Sequence, residues 1–488
     1  MQKYDTVIIG GGLSGIAIAL RRHKKGDKVL LIEKSDQLGG KIGTYQWEEF
    51  KWDKGPSLFT QPHLITELFE LFDKNPDRYF NFREMDENCR YFFEDKISFT
   101  FYKDSIKRRI ELAKFFSDNE VTQVEEYLEK ARRNYNEIGE LFIGRPKLTF
   151  KALFKTEMVK HYPKLLSKQM LKTLNEYNES WFSNDKLIQL FNRFGTYNGS
   201  NPYQMSGLYS MIPHLELNLG TFFPHGGMRA IIDSLQKLMD EQGVEYRLNC
   251  EQTIAKSFKN EFVIEVGDGQ IKSKRLISAI DHLVFYKDVY KDKKAYDRYI
   301  EEPRSTSALV FYWAIDKKYE EIGLHNMLFS EDYEGEFKQI FQNKEIPNTP
   351  SIYIHNSSVV EENHAPSEGQ NWFVMINTPA GIEPTQKQIE QLRNFVMNRV
   401  KVLIGIDISE QILHEEKWTM KGIEDATASV QGALYGGAFN SKMSSFKRHG
   451  NQSKKNINLY FTGGSVHPGG GIPLVLQSAK IVDQLIGK

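Results

Sequence analysis

The feature that most constrains this chain is a trio of glycines, Gly10, Gly12 and Gly15, spaced G-x-G-x-x-G between an apolar strand-like segment, YDTVIIG, and a helix-like one, IAIALRRHKKG. A second apolar run, KVLLIE, follows, so the N-terminal stretch reads as a βαβ unit with buried parallel strands. The three glycines serve different ends: one closes a tight turn, one admits a pyrophosphate against the backbone, one lets the helix pack on the strand. Leu13 and Ser14 fall in the first helical turn, whose free N–H groups and partial positive charge favour phosphate. Taken alone, the pattern also describes an ordinary glycine turn. Glu33, eighteen residues after Gly15 and at the end of the second strand, favours a dinucleotide, because its carboxylate can accept both hydroxyls of an adenosine ribose and repels a 2′-phosphate. Lys34 adjoins it. NAD and FAD share this fingerprint, so the motif leaves both open.

Composition bounds the rest. With 488 residues, 40% of them hydrophobic, and 64 basic residues against 64 acidic ones, the chain is neither disordered, nor collagen-like, nor a strongly basic nucleic-acid binder. At roughly 150 residues per domain, two or three folding units are expected. Cys89 and Cys250 are the two cysteines, too few for a disulfide framework, which suits a reducing interior such as cytoplasm. No run approaches the ~18 apolar residues of a membrane-spanning helix. No HExxH, CxxC pair or nucleophile elbow is present, so no metal is expected.

Along the chain, RYFFEDKISFTFY (Arg90 to Tyr102) reads as a hairpin turning near Glu94 and Asp95, in a different sheet. From Glu120 to Ile143, apolar residues at spacings of three and four mark one face of a long helix. MRAIIDSLQKLMDEQG reads as a helix ended by Gly243, followed by strand-like VEYRLN, FVIEV and RLISAID. Further strands are expected in ALVFYWAI, SIYIH and NWFVMIN, then an amphipathic helix, and the last thirty residues read as strand, glycine loop and helix. The fold class expected is α/β: a discontinuous Rossmann-like domain from 1–85, 220–300 and 426–488, with an inserted α+β domain from 86–219 and 301–425 built on a mostly antiparallel sheet.

Downstream of Glu33 the chain reads EKSDQLGGKIGTYQWEEFKWDKGPSLFT, with a paired-glycine motif, Gly39, Gly40 and Lys41, and an acid-x-Gly-Pro element, Asp53, Gly55 and Pro56, followed by Ser57. Near the other end stands FTGGSVHPGGGIPLVLQSAK, with Gly464, the three glycines 469–471, and Ile472 and Pro473 opening a helix. Between them lie FFPHGGM (Phe222 to Met228) and LNCEQTI, which contains Gln252. In this order the motifs resemble the flavin-dependent carotenoid and phytoene desaturases of the amine oxidase superfamily. Lys41 stands where an arginine is common, and Phe223 where a tyrosine is.

That resemblance selects FAD and implies its contacts: Gly10, Gly12, Leu13, Ser14, Gly15, Glu33, Lys34, Gly39, Gly40, Lys41, Gly55, Pro56, Ser57, Gln252, Gly464, Gly471 and Ile472. It implies a lipophilic carotenoid substrate and loss of a hydride from an allylic C–H to flavin N5. The wording DKGPSLFTQP and YNGSNPYQ is closer to the 1-hydroxycarotenoid 3,4-desaturase branch than to phytoene desaturases. A hydroxylated end group then needs a polar contact inside an apolar tunnel, since a buried hydroxyl without a partner costs ~1–3 kcal/mol. Alternatives within the family are phytoene desaturation and redox-neutral carotenoid isomerisation. Remoter ones are a flavin amine or porphyrinogen oxidase and a non-enzymatic prenyl or lipid carrier. No catalytic side chain is assigned: His225, His467 and Glu216 are candidate proton acceptors, each read more readily as structural, and the electron acceptor stays open between oxygen and a quinone.

From Arg145 to Lys172 eight basic residues face one acid, Glu157, with apolar residues between them. A segment of this kind, 145–172, can rest on an anionic membrane surface, each cation contributing on the order of 1 kcal/mol, or can be a solvated helix face over a core. The expectation is a cytoplasmic, peripherally membrane-associated protein with no nucleic-acid partner.

Overall fold

In the computed structural model, which describes residues 1–139, 143–146, 171–258, 261–267, 269–442 and 444–487, strand Gln2–Ile9 lies between two parallel neighbours, Val29–Ile32 and Gly269–Ser278. Its side chains alternate. Ile8, with Leu31 and Ile277, packs on one face against helices Leu13–Lys24, Arg229–Gln242 and Ile472–Ile486. Val7, Ile9, Leu30 and Ile32 pack on the other against Phe285, Tyr286 and Val289. Burial of both faces is why these strands read as continuous apolar runs.

This sheet is mixed. The first half of Gly269–Ser278 pairs antiparallel with Glu261–Val266, through a hairpin that turns at Gly267 (φ +55°), and its last residues pair parallel with Leu459–Phe461. Strand Glu245–Arg247 adds a parallel edge beside Val29–Ile32. Segments from the start, middle and end of the chain therefore share one seven-stranded sheet.

A second seven-stranded sheet takes its strands from Glu87–Phe92, Ser98–Tyr102, Ser307–Ile315, His325–Leu328, Ile352–Asn356, Gln370–Thr378 and Ile412–Trp418. The hairpin expected at 90–102 is present, and all its pairings are antiparallel except the one between Glu87–Phe92 and His325–Leu328. Leu309, Phe311, Trp313 and Ile315 pack beneath it on Ile389, Leu392, Val396 and Val400 of helix Gln386–Ile404. That helix starts in a Thr385/Gln388 capping box and stops at Gly405 (φ +87°).

The long helix expected over 120–143 is α-helical over Asp118–Asn134, capped by Ser117 and Glu120, and then widens into a π-helical turn over Tyr135–Gly139. Most of the basic stretch 145–172 lies outside the described residues. Among the described residues no helix is long and apolar enough to cross a membrane.

Candidate functional site

Gly10 takes φ +110° as the first strand turns into helix Leu13–Lys24. A Cβ there would stand 2.7 Å from Ile280, and one at Gly15 would stand 2.0 Å from the Gly10 carbonyl oxygen. Gly15 therefore serves the contact of helix on strand and, unlike the other residues named for the cofactor, is not part of the wall of the cavity described next.

That cavity, of about 1080 Å³, opens at the start of the helix beside Gly10, Gly12, Leu13 and Ser14. The N-cap is Gly12, with no side-chain cap, so first-turn N–H groups are left for a ligand. A second uncapped start opens on the same space, where Gly471 (φ +100°) leads into helix Ile472–Ile486 with Pro473 in its first turn. The two ends of the chain touch here, because a Cβ at Gly463 would be 3.1 Å from Ser14 Oγ. Arg448, absent from the sequence-based expectations, fixes this loop. Its buried guanidinium donates to the carbonyls of Tyr435 (2.7 Å), Gly437 (2.8 Å), Val466 (2.9 Å) and Gly464, and burial lowers it to about 10.

Glu33 is buried, with Oε2 accepting from Gly11 N–H at 2.6 Å and Oε1 from Ser35 N–H at 2.9 Å; both oxygens keep further lone pairs for a ribose. Lys34 and Gln252 line the same end; Gln252 sits in the loop before strand Thr253–Phe258, where Cys250 N–H donates to the Glu33 carbonyl at 3.0 Å. The paired glycines lie against the first motif. Gly39 N–H donates to the Gly11 carbonyl at 2.9 Å, and a Cβ on Gly40 would come within 3.0 Å of Gly12 Cα. Lys41 donates to the Leu434 carbonyl at 2.7 Å, and burial lowers its ammonium to about 8 against the pull of Asp281. Gly55 (φ +91°) passes so close to Lys41 that a Cβ would meet the Lys41 carbonyl oxygen at 2.0 Å, and Pro56 and Ser57 line the wall beyond it. Asp53 stands back from the cavity and caps helix Arg229–Gln242 through Met228 N–H at 2.8 Å, which ties the acid-x-Gly-Pro element to the FFPHGGM element. Burial pushes the Asp53 carboxyl up to about 7.

Beyond these loops the floor is one face of the second sheet. Trp418, Val310, Met375, Tyr353 and Met327 stand opposite one another in register, one per strand, and all line the cavity. Strand side chains two apart share a face, so Ala308, Tyr312 and Phe373 extend the same lining. Ser57 hydrogen-bonds Tyr353 Oη at 2.9 Å, and Tyr353 Oη bonds His325 Nδ1 at 2.7 Å. Burial lowers His325 to about 3, so its imidazole is neutral.

The three candidate proton acceptors fall in different places. His225 is exposed and outside the cavity wall. His467 lines the cavity with Nε2 3.0 Å from the Arg145 carbonyl oxygen, and its own carbonyl accepts from Asn451 and Ser478. Glu216 is buried and ion-paired with Arg193 at 2.6 Å; burial raises its carboxyl, an effect the guanidinium opposes. Among the described residues no group of His, Cys, Asp or Glu is arranged to hold a metal ion.

Two uncapped helix starts, glycine backbone with no room for a Cβ and a buried carboxylate beside them fit the phosphates, the ring and the ribose of FAD. Comparison with known proteins agrees. The flavin containing amine oxidoreductase family matches residues 13–484. The 1-hydroxycarotenoid 3,4-desaturase of a Flavobacterium species is 40% identical over 483 residues, 98% of each chain. The 4,4'-diaponeurosporene oxygenase of Staphylococcus haemolyticus is 27% identical, over 99% of this chain and 97% of its own. Among solved structures, putrescine oxidase bound to putrescine superposes with a TM-score of 0.67 at 11% identity, covering 100% of this chain and 99% of that one, which is a likeness of fold alone.

Proposed function

The chain belongs to the flavin containing amine oxidoreductase family, and from that premise we propose that it is an FAD-dependent desaturase that introduces a carbon–carbon double bond into a hydroxylated carotenoid, at the 3,4 position. The observation that carries this reading is the continuity of one cavity from the glycine loops to the apolar face of the second sheet. The 40% identity to a 1-hydroxycarotenoid 3,4-desaturase over almost the whole chain supports the bond and the substrate class.

Bound FAD supplies a two-electron acceptor for a hydride leaving carbon. The residues that would hold it are Gly10, Gly12, Leu13, Ser14, Glu33, Lys34, Gly39, Gly40, Lys41, Gly55, Pro56, Ser57, Gln252, Gly464, Gly471 and Ile472, which line one wall. The sheet face would hold the polyene: Val310, Met375 and Phe373 offer contact without hydrogen-bonding demand and keep water from the reacting carbons. Holding one C–H bond against the bound cofactor would lower the barrier by proximity. We assign 1–85, 220–300 and 426–488 to the cofactor-binding domain and 86–219 and 301–425 to the substrate-binding one, a division supported by which sheet each strand joins.

A carotenoid dissolves in lipid, so we also place the protein at the cytoplasmic surface of a membrane, without spanning it. Ile106, Ile110 and Leu171 are more than half exposed, at 68%, 62% and 66%, and the basic stretch 145–172 adds cations. Salt-sensitive sedimentation with anionic vesicles, lost when Lys151, Lys155, Lys164 and Lys168 become glutamate, tests this placement.

The test of the activity is chromatography and mass analysis of products after FAD-loaded protein is incubated in lipid with hydroxylated and plain carotenes. Loss of two hydrogens is the expected outcome. An isomer of unchanged mass would mark an isomerase, and a product carrying added oxygen would favour the chemistry named for the staphylococcal relative.

A further inference from the structure

A buried ion pair stands in the wall of the cavity. Arg193 lines the cavity and is 7% exposed, and Glu216 is 1% exposed. Arg193 Nη2 donates to Glu216 Oε1 at 2.6 Å and to Tyr91 Oη at 2.7 Å. The guanidinium carbon lies 4.6 Å from the Phe194 ring centroid, 5.2 Å from that of Tyr91 and 5.7 Å from that of Tyr197, so its orientation is fixed on several sides. Yet the pair is unfinished: Nη1 has no hydrogen-bond partner among the described residues, and Nε, Glu216 Oε2 and the amide nitrogen of nearby cavity-lining Asn88 are buried without one. Buried polar groups in native proteins are almost always paired, and unmet donors beside a cavity mark where a ligand atom belongs.

We propose that Arg193, oriented by Glu216 and Tyr91, is the subsite that receives the hydroxyl group of the carotenoid substrate, its free guanidinium N–H donating to the alcohol oxygen.

The chemistry of the ligand group follows from the pair. A guanidinium has donors alone, so the incoming atom must accept, which a hydrocarbon end cannot do. A carboxylate is disfavoured because Glu216 already neutralises the cation and would repel a second anion. A neutral oxygen remains. Its position also suits the reaction, for the oxygen of a hydroxyl on carbon 1 lies three bonds from carbon 3, so its partner must stand in the cavity near the reacting bond. Arg193 lines the same cavity as the cofactor wall, and a run of neighbours links the two: Tyr91, which it holds, is in register with Met327, and Met327 with Tyr353, whose hydroxyl bonds Ser57.

This inference rests on the desaturase reading, and the experiment separates the two. FAD-loaded wild-type protein, Arg193→Met, and the double variant Arg193→Met/Glu216→Met are given a 1-hydroxylated acyclic carotenoid and the same carotenoid without the hydroxyl, in vesicles. Binding is read by co-sedimentation and turnover by product formation. The wild type is expected to prefer the hydroxylated compound by about 10- to 100-fold in both readouts, and in Arg193→Met the ratio between the two compounds is expected to fall to within about threefold of unity. If the single variant fails to fold because it strands Glu216, the double variant, which removes both charges, carries the test. A preference retained in the double variant, or absent in the wild type, overturns the proposal. Preferential binding of the hydroxylated compound without product would uphold the subsite and sink the desaturase reading instead.

Discussion

The Arg22 guanidinium and the Asp483 carboxylate, 461 residues apart in the chain, meet at 3.1 Å. Arg22 is buried and also donates to both oxygens of Asp27 and to the Gly487 carbonyl, so it pins the last helix to the first. The starts of these two helices open on the cavity, and their relative placement sets its shape. Removing Asp483 leaves Arg22 paired with Asp27 and costs the charged hydrogen bond that joins the two helices, about 1.5–3 kcal/mol. Asp483→Ala should therefore lower unfolding stability in urea by about that amount and reduce the flavin-to-protein ratio after gel filtration; a variant as stable as the wild type would show that the pair is dispensable.

Glu33 offers a second test of the same wall. Its carboxylate sits against Gly11 N–H, where a ribose would be bound. Glu33→Arg should weaken FAD retention at least about tenfold by dilution, since charged hydrogen bonds are each worth about 1.5–3 kcal/mol. Unchanged occupancy would remove Glu33 from the cofactor site.

Asp53 predicts a pH dependence. Burial raises its carboxyl to about 7, above the range of an unfolded chain, so between roughly pH 4 and pH 7 the unfolded state loses a proton that the folded state retains. The Asp53 contribution to stability is full below that window, falls as pH rises through it, and is level above it. Asp53→Asn, which keeps a cap for Met228 N–H, should flatten the fall. Equal slopes for variant and wild type in urea unfolding at several pH values would contradict the assignment.

The sheet face makes a prediction that leaves the cofactor alone. Met375 lines the cavity in register with Val310 and Tyr353. Met375→Glu would force an apolar chain to desolvate a carboxylate, raising KM by more than about 30-fold, equivalent to about 2 kcal/mol, with flavin content unchanged. A KM within threefold of the wild type would move the polyene off this surface.

How much of this could be read from the sequence depends on the kind of constraint. The glycine motifs were legible because Gly10, Gly15, Gly39 and Gly55 each hold a place where a Cβ would collide with its neighbours, as the 2.0 Å approach to Lys41 at Gly55 illustrates. Their convergence, with Glu33, on one cavity was what the family resemblance carried by these motifs implied. Arg193 was not legible: in FNRFGTYNG it looks like any surface arginine, and only Glu216 and Tyr91, brought in from 23 and 102 residues away, bury it. The clamp made by Arg448 was hidden for a different reason, since its partners are backbone carbonyls that leave no trace in residue identity. FVIEV and RLISAID were legible as strands of the first domain, but their antiparallel pairing was not, because short apolar runs show their period and not their partners.

The measurement that bears most directly on the account is anaerobic mixing of the FAD-loaded protein with a 1-hydroxylated carotenoid in vesicles, followed by flavin absorbance and product mass together. The account predicts bleaching of the flavin in proportion to a product two hydrogens lighter than the substrate. A flavin that stays oxidised while the carotenoid is recovered unchanged, or a product formed equally well without any flavin, would contradict it.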